Sequence, residues 1–130
     1  MIEIEKLRKV MQRVAAEKGD FVLFGLFSTE GSPDRWDLVI SAPWLERGKL
    51  KALSEFVEIL SSVVGQKEVL SLSKIVTLNH DDPSLKAILK TVQVENGPVV
   101  LQDNNLFGLE IKQAYILHAK RLKEAVPKAS

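Results

Sequence analysis

The sequence contains no cysteine, no surplus of either charge and no long apolar run. Without cysteine, its 130 residues form no disulfide, no cysteine nucleophile and no thiolate metal site. The 18 lysines and arginines balance 17 aspartates and glutamates, so the net charge draws the chain neither to nucleic acid nor to an anionic membrane. No run approaches the ~18 apolar residues of a membrane span, and the first residues lack the apolar core of a signal peptide. We therefore expect a cytoplasmic protein with no membrane partner and no indicated nucleic-acid partner.

The residues that are present are typical of one globular domain. Hydrophobic residues make up 45% of the chain and charged residues 27%, as in ordinary folded proteins. A chain of this length buries roughly two thirds of its unfolded surface, which is enough for a core without a disulfide or a metal. We expect a single domain over residues 1–130.

Alternating helix and strand signals predict an α/β (α+β) fold in which a small mixed sheet packs against helices. The predicted helices, from apolar residues recurring at every third or fourth position, lie near 3–18, 49–64 and 84–92. The predicted strands lie near 21–27, 36–41, 74–78 and 99–101. Residues 106–126 fit either a helix or a strand, and we favour a strand over 111–119 that runs into a short terminal helix.

Two segments carry a more specific pattern. An apolar strand contains Phe24-Gly25-Leu26-Phe27, and after a polar segment Asp34-Arg35-Trp36-Asp37 begins the next strand. This order resembles the minimal nucleotidyltransferases of the DNA polymerase β superfamily, whose first strand ends in Gly-Ser and whose second carries Asp-x-Asp. The predicted strand near 74–78, the predicted helix near 84–92 and the predicted strand near 99–101 also resemble segments of that family. The resemblance spans about residues 5–101. It implies a nucleotidyltransferase-like core over residues 1–101 and leaves 102–130 as a C-terminal extension.

The resemblance implies a magnesium site made of three carboxylates, because nucleotidyl transfer needs metal ions to hold phosphates and neutralise developing charge. Asp37 keeps the second of the three family carboxylates, and Arg35 stands at the first. The third falls in the strand near 74–78, which has no acid and begins with Lys74. Leu26 replaces the phosphate-binding serine. A cation beside Asp37 competes with metal, so we expect a degenerate site with no catalytic residue and no cofactor.

Three functions remain open at this stage. The first is a non-catalytic module that binds a nucleotide or phosphate ligand through Gly25, Arg35 and Lys74, or that binds a protein partner or a second copy of itself. The second is an active nucleotidyltransferase that holds magnesium through the remnant Asp37 and two outside candidates. These outside candidates are Asp34, which faces the other way in a regular strand, and Glu30 in the preceding loop. The third is an unrelated α/β structural or oligomeric protein.

Each candidate ligand also has an ordinary structural interpretation. Asp37 can pair with Arg35 or Lys74 as a surface ion pair, which contributes up to ~1 kcal/mol. Arg35 and Lys74 suit an anion pocket, since guanidinium binds phosphate through its planar fork, yet solvated strand cations are more common. Gly25 permits close approach of a ligand but more often serves local backbone geometry.

Three further residues have a structural and a functional interpretation. His80 precedes Asp81 and Asp82, a set of metal-ligand types that a turn with a helix N-cap explains better. Trp36 and Trp44 have the flat rings that stack on bases, but core packing is their commoner use.

Overall fold

The computed structural model describes residues 3–28, 36–95, 97–106 and 109–121 of the chain. These ranges contain both helices and a mixed sheet, which confirms the predicted mixed α/β class. In chain order the elements are α1 (Ile4–Lys18), β1 (Leu23–Ser28), β2 (Asp37–Ser41), α2 (Pro43–Val64), α3 (Gln66–Val69), β3 (Lys74–Thr77), α4 (Pro83–Thr91), β4 (Val99–Leu106) and β5 (Leu109–Ala119).

The strands form one mixed sheet in the order β3-β2-β1-β5-β4. β2 and β3 run parallel, and α2 and α3 supply the long crossover that a parallel pair requires. The other neighbours are antiparallel. β5 comes from the segment described above as a C-terminal extension, and it pairs with β1 along the whole of that strand. Residues 109–119 are therefore part of the central sheet.

Helices cover both faces of the sheet, which places β1 between two cores. On one face α1 and α2 pack around three aromatic rings, Phe21, Phe24 and Phe56, whose centroids lie 5.0 to 6.3 Å apart in edge-on contacts. On the other face the apolar side of α4 packs against β1 and β5. Every residue of β1 is buried, as expected for its continuous apolar run. The four buried residues of α1 are those that the helical spacing predicts: Leu7, Val10, Met11 and Val14.

Helix α2 begins at Pro43, so the predicted start at residue 49 is wrong. Proline suits the first turn of a helix because that position needs no backbone donor. The expected start coincides with a kink, since Lys49 has φ 49° and ψ −127°, outside helical geometry. The regular apolar stripe resumes only after this residue, and the periodicity therefore reveals only the second part of the helix.

The second half of the chain differs from the prediction mainly in element length. β5 confirms the strand favoured for 111–119, and β4 continues to Leu106, well beyond 99–101. The short helix α3 carries no buried residue, so the sequence has no apolar periodicity that would predict it. The predicted terminal helix lies outside the described residues. Among the helices of the described ranges, none has the length and apolar composition that crossing a membrane requires.

Candidate functional site

Asp37 and Lys74 lie side by side at the start of the parallel strand pair. Each is the first residue of its strand, and the two are register partners between β2 and β3. Register partners on neighbouring strands project to the same face, with backbones 4.7–4.9 Å apart in sheets generally. Asp37 is half-buried and engaged by neighbouring groups, whereas Lys74 is exposed. Asp37 thus has a lysine as its neighbour, on the strand to which the resemblance assigns the third carboxylate.

Gly25 lies on the same face of the sheet, in the neighbouring strand β1. It pairs with Val39, while Phe27 pairs with Asp37. A Cβ added at Gly25 would lie 3.1 Å from the carbonyl oxygen of Tyr115 and 3.2 Å from the ring of Phe27. Phe27 is buried in the second core. The space that glycine leaves open is therefore bordered by protein atoms, and Gly25 permits close packing of Phe27 and β5.

The remaining predicted ligands do not fall within the described structure. Arg35, Asp34 and Glu30 all lie in residues 29–35, outside the described ranges. Within those ranges, no group of three or more histidine and acidic side chains is arranged to hold a metal ion. The described part of the site consists of one carboxylate, one ammonium group and a glycine that serves packing.

The opposite end of the same strand pair carries a contact that the sequence did not predict. His80, in the loop after β3, donates its backbone N–H to Oε2 of Glu46 at 3.0 Å. Its ring Nδ1–H also donates to Oε1 of the same carboxylate at 2.8 Å. Glu46 belongs to the first turns of α2, before the kink. The carboxylate of Glu46 thus links the loop after β3 to the first turns of α2 through two hydrogen bonds.

This contact changes the acid–base behaviour of the imidazole. The hydrogen bond from Nδ1 and the negative charge of Glu46 together raise the pKa of His80 above its ordinary value, and Asp81 adds to the effect. The ring is 80% exposed, so its Nε2 edge faces solvent. An imidazole oriented by a carboxylate through Nδ1 is an arrangement that can exchange protons at Nε2. No sequence spacing signals it, because the two residues are 34 positions apart.

A concave region lies beside this contact, where the kink of α2 approaches the end of β3. Its volume is about 380 Å³ and it is open to solvent on one side. The lining residues are Leu45, Glu46, Lys49, Leu50, Leu53, Thr77 and Asn79. Lys49 is also the residue at the kink of α2, where its φ is positive. The polar groups come from both α2 and the β3 end, and the apolar floor comes from α2 alone.

Three of the residues with two interpretations, Trp36, Trp44 and Asp82, have a structural role. Trp36 and Trp44 are 5% and 7% exposed and belong to the first core, so neither ring is available to stack on a base. The indole Nε1–H of Trp44 donates to the carbonyl of Gly19 at 3.0 Å. Asp82 is the N-cap of α4, with Oδ1 accepting from the backbone of Ser84 at 2.8 Å, which confirms the predicted cap.

Comparison of the chain with protein-family models, with curated proteins and with solved structures gave no match.

Proposed function

We propose that this chain is a nucleotidyltransferase-like domain that has lost catalysis and acts as a binding or interaction module. The observation that carries the proposal is the register pairing of Asp37 with Lys74. In the family that the sequence resembles, the strand after the helix supplies a carboxylate to the metal site. Here the residue beside the surviving carboxylate on that strand is a lysine.

The connectivity of the first half of the chain supports the same proposal. The elements from α1 to β3 follow the order helix, strand, strand, long helix, short helix, strand, and the acid-bearing strand β2 lies between the other two strands. This is the order of segments on which the resemblance rests. The carboxylate position on β2 and the next strand along the chain therefore meet at one end of the sheet.

The electrostatics at this position favour anions over divalent cations. Magnesium sheds its water reluctantly and is usually held by carboxylates together with substrate phosphates. A lysine ammonium beside the one carboxylate opposes a divalent cation and partly neutralises the charge that would attract it. Lys74, and by sequence Arg35, instead offer donors to a phosphate-bearing ligand. The proposal thus separates ligand binding from catalysis.

Restoring a carboxylate tests the proposal directly. In Lys74→Asp, two carboxylates become register partners, and we expect measurable binding of Mn²⁺ or Mg²⁺ by titration calorimetry where the wild type gives no millimolar isotherm. Thr77→Asp is the control, because it adds a carboxylate to the other exposed end of β3, opposite Ile40 and away from Asp37. A wild-type isotherm that disappears in Asp37→Ala would refute the degenerate site and favour the magnesium site with Asp34 and Glu30.

Turnover is tested separately from binding. The wild type is incubated with each labelled nucleoside triphosphate, magnesium and candidate acceptors, and pyrophosphate release is measured beside Asp37→Asn. We expect no release, together with weak triphosphate binding that is lost in Arg35→Ala. Release that depends on Asp37 would overturn the non-catalytic interpretation.

A further inference from the structure

The concave region beside the contact between Glu46 and His80 lies where sheets with parallel strands commonly bind ligands. β2 and β3 are parallel, and the region lies beyond their carboxyl ends, between the end of β3 and the first turns of α2, which follows β2. In open α/β sheets, the crevice outside the carboxyl ends of the strands is the usual place for a ligand. Asp37 and Lys74 lie at the other end of the same strand pair.

Hydrogen-bond donors from α2 and from the end of β3 line this concave region. Lys49, Thr77 and Asn79 offer an ammonium group, a hydroxyl and an amide. His80 follows Asn79, and its ring is held through Nδ1, at 2.8 Å, by the lining residue Glu46. The exposed Nε2 of that ring is a further donor whenever the imidazole is protonated.

The charges around the concave region sum to one positive charge when His80 is protonated. Both carboxylate oxygens of Glu46 accept hydrogen bonds from His80, so these two opposite charges are paired. Asp81 and Lys86, which also act on the imidazole, carry opposite charges that offset each other. Among the ion pairs of the described residues, none involves Lys49. Its ammonium group therefore carries the net charge of the region.

The backbone of Lys49 is strained, and an exposed apolar side chain follows it. Among the described residues, Lys49 is the one non-glycine residue with positive φ. Such conformations concentrate at functional sites, where the surrounding structure holds them. Leu50 lines the same concave region and is 82% exposed. A cationic group and an apolar surface thus stand side by side at the kink.

We propose that this concave region binds a small organic anion, whose phosphate or carboxylate group contacts Lys49 and His80 while its apolar body contacts Leu50. An ammonium group attracts either kind of anion as a point charge, and Thr77 and Asn79 add neutral donors. Because the region is open to solvent on one side, it encloses only part of a ligand, and we expect a dissociation constant in the millimolar range. The inference goes beyond the proposed function, because it concerns the opposite end of the strand pair.

Titrations of the full chain followed by amide NMR test the binding with matched probes. Benzyl phosphate and phenylacetate carry the two kinds of anion, and benzyl alcohol is the neutral control with the same apolar body. We expect saturable shifts of the amides of Lys49, Thr77 and Asn79 with the anions and none with the alcohol. The anion that binds more tightly identifies the head group. Absence of a saturable shift with either anion, or equal binding of the alcohol, would overturn the proposal.

Charge removal at two neighbouring positions of α2 tests the contact with the ammonium group. Lys49→Gln should weaken anion binding about fivefold, the upper end for an exposed pair of charges. Lys49→Gly should do the same while relieving the strained backbone, which keeps the test valid if the glutamine variant is poorly folded. Lys51→Gln is the matched control, because Lys51 is exposed on the same helix but does not line the concave region. Unchanged binding in both Lys49 variants, or an equal loss in Lys51→Gln, would contradict the site.

The pH dependence of binding tests the contact with the imidazole. Because the pKa of His80 is raised, the ring is cationic at pH 5.5 and loses its proton as the pH rises. The affinity of the wild type relative to His80→Gln should therefore be about fivefold at pH 5.5 and close to equal at pH 8.5. Measuring this ratio with the same anion at each pH cancels the titration of the anion itself. A ratio that stays constant or grows with pH would exclude His80 from the site.

Discussion

Gly25→Ala is expected to destabilise the fold because the methyl group has no free space. Its Cβ would lie 3.1 Å from the Tyr115 carbonyl oxygen, 3.2 Å from the Phe27 ring and 3.3 Å from the Ile116 Cα. Two of these neighbours are backbone atoms of β5, a strand paired on both sides, and they move little without disturbing the sheet.

Two effects of opposite sign determine the magnitude of this change. Overpacking a well-filled core costs about 1–3 kcal/mol. Alanine also restricts the unfolded chain, which stabilises the folded state by about 0.4–1 kcal/mol. The net expectation is a loss of about 1–2 kcal/mol in the free energy of unfolding. For a domain of this size that corresponds to a melting temperature lower by about 4–8 °C.

Thermal and denaturant unfolding of wild type, Gly25→Ala, Phe27→Leu and the double variant measure the effect and its cause. Removing the Phe27 ring eliminates one of the three close contacts. Gly25→Ala should therefore lower the free energy of unfolding by less in Phe27→Leu than in the wild type. An unchanged or higher melting temperature in Gly25→Ala would refute the packing argument. If phosphate binding were also lost in that stable variant, Gly25 would serve a ligand instead.

Two further changes have expected outcomes. Glu46 raises the pKa of His80, so protonation of His80 stabilises the fold. This contribution to the free energy of unfolding is fully present below the ordinary histidine pKa of about 6.5. It is lost as the pH rises through the raised pKa of His80 in the folded protein. His80→Gln should therefore lower the melting temperature more at pH 5.5 than at pH 8.5, and a gap that widens with pH would contradict this. Lys49→Gly should raise the melting temperature by about 4 °C, since glycine relieves about 1–3 kcal/mol of backbone strain at a flexibility cost of about 0.5–1 kcal/mol. A lower melting temperature would show that the lysine side chain stabilises the kink.

The parts of the fold that could be predicted are those set by local apolar patterns. The continuous run in β1 indicates a strand buried on both faces, and the β-rich segment 111–119 indicates β5, as the structure has them. The first turns of α2 were missed because Pro43 ends a strand as readily as it begins a helix. The kink at Lys49 also interrupts the apolar periodicity, so the pattern does not predict the helical turns on the N-terminal side of that residue.

The candidate site was less predictable because its contacts are non-local. Residue types alone give the expectation that Arg35 and Lys74 stand where the resemblance implies carboxylates, but the register that puts Lys74 beside Asp37 depends on the parallel pairing of two strands. The contact between Glu46 and His80 joins a helix to a distant loop and follows no spacing rule. The packing role of Gly25 depends on β5, which lies far along the chain from β1.

The position of β5 has a consequence for how the protein is made. β1 is fully buried in the finished sheet, yet its partner on one side is the last strand described, with Leu23 pairing to Ala119. During synthesis at about 5–20 residues per second, β1 emerges from the ribosome several seconds before β5. Through that interval, one edge of an apolar strand has no partner from its own chain, and such edges readily pair with other chains. The nascent chain therefore passes through a stage at which this edge is open to pairing with other chains.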